Sequence, residues 1–183
     1  MRAGNLRHRA TVLALSDSLQ PVEITRRWVG IRSKESGDAP AAAGLRASVR
    51  VEVRARFSSD LVAGRYLRHG ARLLYINDAR DFTGERAELL LSCEELVGLP
   101  ATMTATPAAE PAACRVFLAH GVKRPAENVG LSAYSTQLEA ALIEVGRPQV
   151  GAEFLVGGVT WRVTGLVDDD DDRIVRRMWV KKA

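Results

Sequence analysis

The sequence predicts a mainly β protein: a small antiparallel β-barrel or sandwich with a long loop, followed by a second, smaller β domain containing one helix. Three observations lead to this prediction. One segment alternates strictly between apolar and charged residues, several short apolar segments are separated by turn residues, and helical spacing is confined to one segment near residue 140.

The clearest strand is Ser48–Phe57, in which apolar residues alternate with charged ones. Successive side chains of a strand point to opposite faces, so this pattern places the apolar residues on one face. The other face is exposed to solvent and mostly basic, and it carries Arg50, Glu52, Arg54 and Arg56.

The first half contains further strands that cover the apolar face of this one. They are predicted at Leu6–Leu15, Ile24–Arg32, Arg72–Ile76 and Arg86–Glu94, and the Thr83-Gly84 pair marks a hairpin turn. Trp28 is expected to anchor the core, because an indole buries a large apolar area.

A long segment without periodicity, Ser33–Ala47, separates two of these strands. Its residues are small and polar and are interrupted by glycine and proline. A structureless segment of about 15 residues is uncommon inside a compact domain and is usually functional or disordered. We therefore expect a hairpin with a long, mobile tip.

A Pro/Ala-rich linker is predicted at residues 98–113, between domains at residues 1–97 and 114–183. In the second domain we expect a strand at Cys114–His120, a helix at Leu131–Val145, a hairpin at Phe154–Thr164 and a last strand at Ile174–Val180. The helix rests on apolar residues spaced at i, i+3, i+4 and i+7 from Leu138.

A faint internal repeat relates Gly64–Cys93 to Gly151–Val180. Both segments read glycine, apolar pair, turn glycine, apolar strand, acidic turn and apolar strand. Duplication and chance similarity of two hairpins both account for this pattern.

Composition points to an ordinary globular chain of 183 residues, 46% hydrophobic and 26% charged. No apolar run approaches the roughly 20 residues of a membrane span, and the N-terminus does not resemble a signal peptide. Two cysteines make no disulfide framework, so we expect free thiols in a reducing compartment. The net charge of +4 comes from arginines in the first half, which is compatible with nucleic acid contact or with a solvated face.

No catalytic or cofactor-binding constellation is present in the sequence. The three histidines are scattered, and neither a phosphate-binding glycine loop nor paired zinc ligands occur. The acidic run Asp168–Asp172 lacks the spacing of a calcium loop and is expected to be a solvated turn. We therefore predict no enzyme activity, no cofactor and no metal.

The first half resembles the head–tail adaptor or head-completion (stopper) proteins of tailed bacteriophages. The resemblance covers Met1–Val97 and rests on MRAGNLRHRATVLAL, RRWVGIRS, RASVRVEVRARFS and GARLLYINDARDFTGERAELLLSCEEL. The second half is only vaguely similar to other small β-barrel proteins of the connector.

The resemblance implies a structural virion protein, assembled in the host bacterial cytoplasm and located at the head–tail interface. Such proteins form a homo-oligomeric ring between the portal protein and the tail and retain packaged double-stranded DNA without sequence specificity. Gene transfer agents use the same parts. The matching channel loop would comprise Ser33, Lys34, Glu35, Ser36, Gly37, Asp38, Ala39, Pro40 and Gly44.

Two further sets of residues are candidates for contacts in such a ring. Arg50, Glu52, Arg54 and Arg56 either pair with a neighbouring subunit or face the DNA. The basic residues at the N-terminus have two interpretations. They form either the solvated start of an edge strand or an arm that reaches a partner through Arg2, Arg7, His8 and Arg9. A tail-terminator or tail-tube-proximal protein and a small non-specific nucleic-acid-binding β-barrel remain alternatives.

Overall fold

The computed structural model describes residues 6–33, 44–106, 109–124, 133–167 and 172–183. The chain divides into two compact units, Met1–Val97 and Gly98–Ala183. Each unit is a closed, six-stranded antiparallel barrel, which confirms the mainly β fold expected from the sequence.

The first barrel closes in the order β1-β2-β3-β6-β5-β4, with β4 pairing back onto β1. Its strands are β1 (His8–Leu15), β2 (Pro21–Ser33), β3 (Arg46–Arg56), β4 (Tyr66–His69), β5 (Arg72–Arg80) and β6 (Glu88–Leu96). The alternation expected for β3 is confirmed, because Val51, Val53 and Ala55 are buried while Arg50 and Arg56 are exposed.

The second barrel closes in the order β7-β8-β9-β12-β11-β10, with β10 pairing back onto β7. Its strands are β7 (Leu99–Thr104), β8 (Ala112–Arg124), β9 (Ala133–Ala141), β10 (Glu153–Val156), β11 (Val159–Leu166) and β12 (Val175–Lys182). A single turn of helix, α1 (Leu142–Val145), follows β9. The core of this barrel is built around Phe154, Leu138 and Met178, which are fully buried.

Two expectations for the second half are wrong. Most of the predicted helix at Leu131–Val145 is strand β9, which pairs with β8 and β12, and of the described residues in this range only those of α1 are helical. The predicted linker at residues 98–113 contains β7, whose Ala101 and Met103 point into the core. In both segments, hydrogen bonds to neighbouring strands and the burial of alternate side chains favour a strand. These interactions outweigh the helical spacing of apolar residues in the first segment and the proline content of the second.

The two barrels share one topology, since the strand order of the second repeats that of the first. The turns that precede β4 and β10 also match. The Gly64 N–H donates to the Ile76 carbonyl at 2.9 Å, and the Gly151 N–H donates to the Val163 carbonyl at 2.9 Å. Both glycines have positive φ, +86° and +96°, which favours glycine at these positions. The internal repeat thus extends through a whole barrel, which supports duplication.

Candidate interaction surface

In the described parts of the chain, no group of three or more His, Cys, Asp or Glu side chains is placed to hold a metal ion. Cys93 and Cys114 are buried, and burial raises the pKa of both thiols to about 12. Because both thiols stay protonated at neutral pH, they are poor nucleophiles. The chemical features that stand out lie on the exterior of the first barrel.

Trp28 lies on the outside of the first barrel, so its predicted role as a core anchor is wrong. Its side chain is 56% exposed, whereas Val29, the next residue of β2, is fully buried. Because successive strand residues face opposite sides, the burial of Val29 directs Trp28 to solvent. An exposed indole on a strand rich in arginine is an unusual surface feature, since such residues are enriched at interfaces.

A groove of about 490 Å³ runs beside this tryptophan. It is lined by Leu6, Trp28 and Phe57, with Arg26, Arg27 and Arg56 around them. Phe57 is 38% exposed, so two aromatic rings contribute apolar area to the same groove. The groove therefore suits a partner that is both apolar and able to accept hydrogen bonds from guanidinium groups.

The arginines around the groove differ in their availability. Arg27 donates to the Asp60 carboxylate at 2.8 Å, and this contact holds the pKa of Asp60 below its usual value. Arg26 donates to Glu23 at 2.8 Å. Arg56 makes no ion pair with any described residue, so its guanidinium remains available to a partner.

The turn between β5 and β6 presents a third aromatic side chain, Phe82, which is 71% exposed. The preceding Asp81 organises this turn. Its carboxylate accepts backbone N–H bonds at distances of 2.8–3.2 Å from Thr83, Gly84 and Arg86. These bonds, with that from Arg86 first, lower the pKa of Asp81. At neutral pH the ionised Asp81 therefore holds the turn in one conformation, and this fixes the backbone that carries Phe82.

Arg86 connects this turn to the groove. Its guanidinium lies 5.9 Å from the centroid of the Phe57 ring, and the Phe57 N–H donates to the Ala87 carbonyl at 3.2 Å. Phe82 itself lines a separate depression of the same barrel, together with Arg50 and Glu52. We call Trp28, Phe57, Phe82, Arg56 and Arg86 together the aromatic–arginine surface. The sequence analysis did not predict this surface. The alternation of residues along β2 was the one signal that indicated an outward position for Trp28.

Of the four residues predicted on the outer face of β3, Arg56 belongs to this surface, and the environment of the four is mixed in charge. Arg54 donates to Glu52 at 3.3 Å. In the pairing with β6, Arg50 lies opposite Glu94 and Arg56 lies opposite Glu88. The outer face of β3 is therefore not uniformly basic, and its potential is weaker than the arginine content suggests.

The predicted N-terminal arm is partly attached to the barrel. His8 is half-buried, its ring centroid lies 5.0 Å from that of His69, and its Nδ1 accepts the Ile31 N–H at 3.2 Å. Arg7 and Arg9 are exposed. His8 thus contributes to holding β1 in place.

The candidate channel loop is described only at its two ends. Ser33 is the exposed last residue of β2, and Gly44 is half-buried next to the fully buried Leu45. The Leu45 carbonyl accepts the Val97 N–H at 2.7 Å, which anchors that end of the loop. The remaining predicted residues lie outside the described residues, namely Arg2, Lys34, Glu35, Ser36, Gly37, Asp38, Ala39 and Pro40.

Comparison with known proteins identifies no relative. No family model, curated protein or solved structure matches this chain. The described part contains no helix with the length and apolar character needed to cross a membrane. The surfaces of the two barrels, together with the motifs of the first half, are therefore the basis for a functional proposal.

Proposed function

We propose that this chain is a structural protein of the head–tail connector of a tailed bacteriophage or gene transfer agent. In this role, copies of the chain form a ring between portal and tail that completes the head and retains packaged DNA. The proposal is supported by the resemblance of Met1–Val97 and by the aromatic–arginine surface on the outside of a closed barrel.

The aromatic–arginine surface is the observation on which the proposal mainly depends. Tryptophan and arginine are the residues that most often dominate the binding energy of protein interfaces. Trp28 and Phe82 are largely exposed, and the Asp81-organised turn fixes the backbone that carries Phe82. A preorganised surface loses little conformational entropy on binding, which favours a permanent contact with a neighbouring protein.

The loop between β2 and β3 is assigned to the channel in this proposal. Its ends are held by β2 at Ser33 and by the buried Leu45, so a deletion between them leaves both anchors intact. Removal of residues 37–43 should give particles that assemble but leak DNA. Particles that retain all their DNA after this deletion would contradict the assignment of this loop to the channel.

The second barrel is assigned to contact with the tail or the capsid. The chain divides after Val97, so truncation there removes this barrel without cutting through a sheet. We expect the truncated chain to occupy heads and to fail in tail joining. Normal tail joining by these particles would exclude the assignment.

The experiment that tests the proposal is a mass measurement of the purified chain, alone and after incubation with portal-bearing, DNA-filled heads. A chain that is monomeric alone and ring-bound on heads would support the connector role, and heads without portal are the control. A chain that does not bind heads but binds naked DNA in a strongly salt-dependent manner would instead support the nucleic-acid-binding alternative.

A further inference from the structure

A depression of about 540 Å³ opens on the second barrel. It lies where β8, β9, β11 and β12 bring together one histidine, two lysines and two aromatic residues. The residues used in the following argument are His120, Thr136, Trp161, Lys181 and Lys182.

The depression has an aromatic floor and a cationic rim. Trp161 is only 6% exposed and belongs to the core, so its ring forms a rigid base. The Lys182 ammonium lies 5.7 Å from the Trp161 ring centroid, and the His120 ring lies 5.7 Å from the same ring. The contact with the indole favours a position of the Lys182 charge over the depression.

The lining of this depression contains no carboxylate, in contrast to the outer face of β3. Neither Lys181 nor Lys182 forms a salt bridge with any residue that the structure describes. His120 Nδ1 and Thr136 Oγ1 lie 3.1 Å apart and satisfy each other. The site therefore offers an anion from solution two ammonium groups that no described carboxylate neutralises.

We propose that this depression binds the phosphodiester backbone of nucleic acid without reading sequence. Lysine presents a compact, hydrated point charge, which suits phosphate contacts that position a duplex but do not specify bases. The site lacks free amide or guanidinium groups for bidentate contacts with bases.

This assignment rests on the proposed function in one respect, the identity of the nucleic acid. In a head–tail connector, that nucleic acid would be packaged duplex DNA. The assignment moves the DNA contact from Arg50, Arg54 and Arg56 of the first barrel to the second barrel. A few lysine contacts would hold DNA weakly, and weak contacts are compatible with the passage of DNA through a channel.

The test measures binding of the full-length chain to a short fluorescent DNA duplex by anisotropy, between roughly 50 mM and 200 mM salt. Replacing both lysines, in K181A/K182A, should lower the slope of log K against log salt by about one per lysine. It should weaken binding by about 10- to 100-fold near 0.1 M salt. The charge-preserving variant K181R/K182R should retain the slope, and circular dichroism verifies that each variant is folded.

A matched pair of charge removals on the first barrel, R50A/R56A, provides the comparison. If this pair lowers the slope as much as K181A/K182A does, or if K181A/K182A leaves the slope unchanged, the assignment is overturned. Equally strong competition by polyglutamate of similar length would overturn it in favour of an acidic protein partner. Head binding by K181A/K182A is measured in parallel, so failure of this site is distinguished from failure of the connector proposal.

Discussion

Replacing Trp28 by alanine should separate stability from function, and Trp161→Ala provides the matched comparison. A buried tryptophan replaced by alanine costs about 3–5 kcal/mol of unfolding free energy, because apolar contacts are lost and a cavity remains. Trp161 is almost completely buried and should show a loss in this range. Trp28 has more than half of its side chain in solvent, so W28A should cost about 1 kcal/mol or less.

The assay is urea denaturation of the full chain, with the unfolding free energies of both variants compared with that of the unsubstituted protein. Binding to portal-bearing heads is measured on the same preparations. A central interface tryptophan contributes about 2 kcal/mol or more, so W28A should weaken head binding by about 30-fold or more. Val150→Ala, at an exposed position of the second barrel, should change neither quantity.

Two results would refute this reasoning. A loss of stability in W28A comparable to that in W161A would mean that Trp28 is a core residue after all. Unchanged head binding by a stable W28A protein would mean that the aromatic–arginine surface is not the interface with the heads.

Three further predictions follow from the two barrels. The fragment Met1–Val97 should unfold cooperatively by itself in thermal denaturation, because it contains a complete barrel and its own core; a non-cooperative transition would contradict this. Stability should fall as pH rises from about 9 to about 12, since Cys93 and Cys114 ionise near 9.0 only when unfolded; a C93A/C114A variant should lose part of this dependence. Glu139→Gln should cost about 2 kcal/mol in urea denaturation, because the buried Glu139 carboxylate accepts a bond from Arg177 at 2.9 Å.

Much of the first barrel was predictable from local pattern. Strand β3 is predictable because it is paired on both sides and has one buried face, which gives strict alternation. In β2, Trp28 shares its parity with Arg26 and Arg32 and lies between the alternate positions of Arg27, Val29 and Ile31, so the alternation favours an outward Trp28 less strictly than in β3. The prediction for Trp28 was wrong because it relied on the general tendency of tryptophan to be buried instead of on the alternation of residues along the strand.

The second barrel was harder to predict because its signals are ambiguous. The segment from Leu138 to Val145 satisfies helical spacing, yet Leu138 and Ala140 are also alternate residues that point into the barrel. In β7, Ala101 and Met103 alternate with threonines, but the nearby prolines and alanines favoured an extended linker. Pairing partners distant in sequence decide both cases, and a local window does not contain them.

The candidate surfaces could be predicted only in part. The outward direction of Arg50 and Arg56 follows from alternation. The proximity of Trp28, Phe57 and Arg86 depends on the register between β2, β3 and β6, which the sequence does not specify. The depression beside Trp161 likewise requires four strands to converge.

The repeated topology has a consequence for how this chain folds. Adjacent units that share one strand order are prone to exchange equivalent hairpins while they fold, as happens in other repeat proteins. Equivalent core positions in the two halves differ in volume, since Leu74 of β5 corresponds to Trp161 of β11 in the matched turns. A hairpin inserted into the wrong barrel would leave a void or a clash in the core, which costs stability. This cost favours folding in which each hairpin joins its own barrel. Divergence between the halves therefore protects the chain from misassembly with itself.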